Sequence, residues 1–133
     1  MIRCLRLSMI LGLVATTALA DRPPPEFFQG RYRVVGRDAA TPPKLIDEDV
    51  RLEVAGKGLT SHLCGRPEGR MDYDSIFEAD NFLHGGVGPW VVWCLYTNNG
   101  SNYPILNCGG DAGELFTLFP DEGGFAEPLD CGD

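Results

Sequence analysis

Apolar and charged residues alternate strictly over Val50-Arg51-Leu52-Glu53-Val54, the period-2 pattern of a strand with one buried face. Gly56 to Gly58 supplies a turn and Leu59 to Cys64 a return strand, the clearest hairpin of the first half. Before it, Phe27 to Gly36 reads as a first strand entering through Gly30, and Arg37 to Lys44, with Pro42-Pro43, as a loop. Pro23-Pro24-Pro25 is an extended lead-in that cannot enter a sheet interior.

Trp90-Val91-Val92-Trp93-Cys94-Leu95-Tyr96-Thr97 is apolar on both faces and is expected to be a central strand, packed on either side. Asn98 to Asn102 turns the chain, Tyr103 to Cys108 returns, Gly109-Gly110 turns again, and Glu114 to Phe119 is the last clear strand. Met71 to Phe77 is either a further strand or, from Ser75 onward, a short helix opened by the Ser75-x-x-Glu78 capping box. The glycines of His84-Gly85-Gly86-Val87-Gly88 read as a turn. Their likeness to a lipase oxyanion segment fails for want of a G-x-S-x-G elbow. The pattern predicts an all-β fold: a single small antiparallel barrel or sandwich of seven to eight strands, with at most one short helix.

The N-terminus has a different character. Arg3 and Arg6, an apolar run from Leu7 to Val14 and the small-residue ending Ala18-Leu19-Ala20 are the parts of a secretory signal. The 14 residues from Leu7 to Ala20 fall short of the ~20 needed to span hydrocarbon. The expected organisation is a signal peptide over 1–20, cleaved before Asp21, and one β domain over 21–133 ending in an acidic tail. No membrane anchor is expected. The expected location is outside the cytoplasm: periplasm in a Gram-negative host, otherwise extracellular.

Export changes how the cysteines are read. Cys4 leaves with the signal, and Cys64, Cys94, Cys108 and Cys131 remain, an even number that predicts two disulfides. No C-x-x-C or H-x₃₋₅-H spacing favours zinc, and no metal or cofactor is expected. If Cys94 and Cys108 face each other, Tyr96 lies opposite Leu106, and Thr97 lies opposite Ile105. The five-residue loop Asn99–Tyr103 then closes the hairpin. Such a cross-link contributes about 3 kcal/mol in the chain-entropy account, and Cys64 then holds the tail through Cys131. The alternative, Cys64–Cys94 with Cys108–Cys131, is equally compatible with the count.

Charge is unevenly placed. Residues 21–70 carry nine Lys or Arg and eight Asp or Glu, whereas 71–133 carry eleven acids and no Lys or Arg. That balance excludes nucleic acid as a partner, since phosphate must be met by Lys and Arg. It permits a basic protein partner. The densest acids, Asp72, Asp74, Glu78 and Asp80, lack the ligand pattern of a calcium loop and read as a solvated face. Ser61 and His62, adjacent on one strand, point to opposite faces, and no catalytic residues are assigned. Trp90, Trp93, Tyr96 and Tyr103 read as core. Asn99-Gly100-Ser101 is a glycosylation sequon in a eukaryotic host and a turn otherwise.

Phe28-Gln29-Gly30-Arg31-Tyr32 resembles the first strand of lipocalin-like and related calycin barrels, with Tyr32 where those proteins usually have Trp. The resemblance implies an antiparallel barrel closed at one end by Gly30 and Tyr32, and a small apolar ligand inside it. The function expected is an exported, non-enzymatic binding protein: an inhibitor or accessory subunit of a basic protein. Its contacts would come from Asn99, Ser101, Asn102, Tyr103, Asp111 and Glu114. A carrier holding an apolar ligand in the barrel is the alternative.

Overall fold

The computed structural model describes residues 23–73, 82–97, 104–121 and 128–132. Eight strands form one closed antiparallel barrel in chain order: β1 (Gly30–Arg37), β2 (Leu45–Ala55), β3 (Gly58–Leu63), β4 (Gly69–Tyr73), β5 (Phe82–Val87), β6 (Trp90–Thr97), β7 (Ile105–Gly109) and β8 (Leu115–Pro120). β8 returns to pair with β1, with Val34 opposite Leu118. Closure removes the open edges that a sandwich would leave.

Each strand sends alternate side chains inward, as the sequence pattern demands. Tyr32 and Val34 of β1, Val50 and Leu52 of β2, Leu59 and Leu63 of β3, and Met71 of β4 fill one side of the interior. Leu83, Val92, Leu106, Phe116 and Leu118 fill the other. A 3₁₀ turn, Pro25–Phe28, folds under one end of the barrel. Its Phe28 is fully buried and meets Tyr96 edge-on at 5.1 Å, and the buried Tyr32 hydroxyl donates to the Phe28 carbonyl at 2.7 Å. At the opposite end the Arg66 guanidinium is paired with Glu48 and lies 5.1 Å over the Trp90 ring. Trp90 in turn packs on Phe116.

Two disulfides join Cys94 to Cys108 and Cys64 to Cys131, with Cα separations of 4.1 and 5.2 Å. The register places Cys94 opposite Cys108, Tyr96 opposite Leu106 and Thr97 opposite Ile105, which decides between the two pairings. The Cys94–Cys108 bridge is buried inside the barrel.

Two sequence expectations need correction. The glycine-rich stretch read as a turn is strand β5, and only Gly88-Pro89 turns. These glycines are there because strands crowd: a Cβ on Gly85 would lie 1.9 Å from the Arg70 carbonyl oxygen, and one on Gly69 2.3 Å from that of Gly86. Strand β6, read as buried on both faces, is buried on one. Trp90, Val92 and Cys94 face the interior, while Val91 is exposed and Trp93 and Leu95 are half-buried. The Ser75 helix start lies outside the described residues, as do residues 1–22, where the signal segment was read. Among the described residues, no helix is long and apolar enough to cross a membrane.

Candidate functional site

With the interior taken by core side chains, the candidate sites are the outer face of the barrel and its end loops. Outward positions divide the surface into two unlike halves. On β1–β3 many of them are charged and paired within the sheet. Arg33 reaches Asp47 at 2.6 Å and Asp49 at 3.2 Å, and Arg51 pairs with Glu53. The Arg33 hydrogen bond holds the Asp47 carboxyl below its usual range. The Asp38 carboxyl is lowered too, by hydrogen bonds from the backbone N–H groups of Lys44 and then Ala40. Those bonds brace the 38–44 loop.

His62 has three polar neighbours in this half. Its Nε2 lies 3.1 Å from Glu53 and 3.2 Å from the Thr60 hydroxyl, and its Nδ1 lies 3.5 Å from Glu68. Leu129, two residues before Cys131, lines a notch of about 250 Å³ together with Arg51, Glu53 and His62. Ser61 points the other way, as expected. It is fully buried, and its hydroxyl donates to the Gly86 carbonyl and accepts the Gly88 N–H, both at 2.8 Å. Ser61 is a structural member of the core and no partner of the imidazole. Among the described residues no three His, Cys, Asp or Glu side chains converge in a metal-binding group.

The half formed by β5–β8 carries no Lys or Arg. Register defines a row around the outside of the barrel: Asp72, His84, Trp93, Gly109, Leu115 and Arg37 in successive strands. His84 stacks on Trp93 with ring centres 3.9 Å apart. Gly109 leaves open space between Trp93 and Leu115, since a Cβ there would meet nothing nearer than 3.8 Å. Val91 is 64% exposed, Leu115 56% and Phe119 44%. Trp93 therefore belongs to the surface and not to the core in which the sequence placed it. Trp90 is buried, and Tyr96 packs against the core from the end of the barrel.

Of the six binding residues expected from sequence, Asn99, Ser101, Asn102 and Tyr103 lie outside the described residues. Asp111 and Glu114 are placed in the β7–β8 turn, beside Trp93 and Val91 in the sheet. Asp111 is exposed. Glu114 folds back so that its Oε2 occupies the space above Gly110, where it is buried without a hydrogen-bond donor among the described residues. A buried carboxylate oxygen without a donor is costly. Asp72 of the acidic set is exposed and paired with Arg70 at 3.0 Å; Asp74, Glu78 and Asp80 lie outside the described residues. The sequence reading missed His84 and Trp93 as surface residues, because β6 is apolar throughout and the glycines after His84 masked the strand character of β5.

No protein-family model matches this chain, and no curated protein or solved structure does so.

Proposed function

We propose that the protein is an exported, non-enzymatic binding module that docks a basic protein partner on the cation-free outer face of β5–β7 and the adjoining β7–β8 turn. The observation that carries this is Glu114, a carboxylate with a buried, donor-less oxygen, placed with exposed Asp111 at the edge of an uncharged aromatic face. A Lys or Arg of the partner would meet Glu114, while His84, Trp93 and Val91 supply desolvated contact area. The acids along the second half of the chain would speed encounter by long-range attraction. Export is supported by the signal-like residues 1–20 and by two disulfides, which persist in oxidising compartments.

The second reading, a lipocalin-like carrier, is favoured by the closed eight-stranded barrel and by Gly30 and Tyr32 at its sealed end. It ranks lower because Tyr32, Met71, Leu52, Leu106 and Leu118 already fill inward positions.

The test is site-specific photo-crosslinking in the host's exported fraction, with the crosslinker at Val91 and, as a control, at Asp49 on the opposite half. A basic polypeptide captured from Val91 alone, and lost when Glu114→Gln and Asp111→Asn are combined, supports the docking face. Binding should also weaken as salt shortens the screening length, ~8 Å at physiological strength. Equal capture from both positions, or no dependence on Glu114 and Asp111, overturns it. A co-purifying small apolar molecule in native mass spectra that contacts the interior residues Leu52 and Leu106 would instead support the carrier.

A further inference from the structure

A second surface, on the β8–β1–β2 side, combines apolar side chains and charge differently. Arg37, the last residue of β1, sits in register between Leu115 of β8 and Leu45 of β2. Leu45 is 90% exposed and Val35, the next outward residue of β1, 43%. Together with Gly36, Ile46 and Asp47 these residues line an open groove of about 430 Å³, within the size range of small-molecule sites. Its polar groups are two. Asp47 is neutralised by Arg33, whereas the Arg37 guanidinium has no partner among the described residues. Both flanking positions on the neighbouring strands are leucines, so the sheet provides no acid for it.

An apolar groove with one unneutralised guanidinium among its walls is complementary to a small amphipathic anion. We infer that the groove binds a monocarboxylate with a short apolar chain, the chain lying on Val35, Leu45 and Leu115 and the carboxylate on Arg37. A guanidinium offers paired N–H donors that match the two oxygens of a carboxylate. The site lies outside the barrel and does not involve Glu114 or Asp111, so it stands or falls separately from the docking face.

The probe is octanoate, titrated into the purified protein with methyl-labelled Leu and Val observed by NMR, and 1-octanol as its uncharged match. Saturable shifts at Leu45, Leu115 and Val35 are expected, with affinity rising about two- to threefold per methylene from hexanoate to octanoate. Arg37→Gln should weaken octanoate about three- to tenfold and leave octanol unchanged, and Arg37→Glu should abolish octanoate binding. The inference is overturned by an absence of shifts at about 5 mM octanoate, or by equal affinity in Arg37→Gln. Shifts at the interior residues Leu52 and Leu106 would overturn it as well, since they place the ligand inside the barrel.

Discussion

Gly69 stands between Ser61 and the β5–β6 turn, and its missing side chain is the opening through which the Ser61 hydroxyl crosses β4. A Cβ on Gly69 would lie 2.6 Å from Ser61 Oγ. Through that opening Ser61 reaches the Gly86 carbonyl and the Gly88 N–H. One buried hydroxyl thus fastens β3 to a strand that is not its neighbour in the sheet.

Ser61→Ala should therefore destabilise the fold by about 2 kcal/mol, because it strands a buried N–H and removes the hydroxyl donor to a carbonyl. Urea denaturation should show the midpoint falling with the slope unchanged. An unchanged midpoint would mean that water replaces the hydroxyl.

Gly69→Ala and Gly109→Ala form a matched pair. The first drives a methyl to 2.3 Å from the Gly86 carbonyl oxygen, whereas the second meets nothing nearer than 3.8 Å. Gly69→Ala should cost about 2 kcal/mol or more, and Gly109→Ala should change stability by less than about 0.5 kcal/mol. Thermal denaturation of the two variants side by side checks the difference.

At the sealed end, Tyr32→Phe deletes the hydroxyl that donates to the Phe28 carbonyl and keeps the ring in place. A loss of about 1–2 kcal/mol is expected, together with faster amide exchange over the Pro25–Phe28 turn. If exchange there is unaltered, the ring alone seats the turn.

Acid should open the 38–44 loop before it unfolds the barrel. Asp38 is lowered by backbone N–H donors from Lys44 and Ala40, so its contribution is present above the unfolded carboxyl pKa, about 3.9. It is lost as pH falls through the lower folded value. Amide protons of Lys44 and Ala40 should lose protection in that range. In Asp38→Ala they should be unprotected at neutral pH, with no further acid dependence.

Much of the architecture is legible in the order of residues. Alternation over Val50–Val54 specifies a half-buried strand, because a one-residue slip would turn Leu52 outward and Arg51 inward. The spacing of Cys94 and Cys108 suits a hairpin cross-link, and the register bears out their facing positions. The cation-free second half is a property of the sequence alone.

Other features exist only once the sheet closes. Periodicity cannot distinguish barrel from sandwich, since both bury alternate residues; the pairing of β1 with β8 decides it. The strand identity of His84 to Val87 was hidden because Gly85 and Gly86 mark crowding between β4 and β5, and crowding is a property of neighbours distant in sequence. For the same reason Trp93 read as core: its strand is uniformly apolar, and only the stacking on His84 outside the barrel shows which face it takes. Arg37 between two leucines and Glu114 over Gly110 likewise depend on which strands lie side by side. The sequence by itself determined most of the strands, the charge asymmetry and the hairpin spacing, all local or compositional properties. Tertiary structure decided the surfaces, because each is assembled from residues that only register brings together.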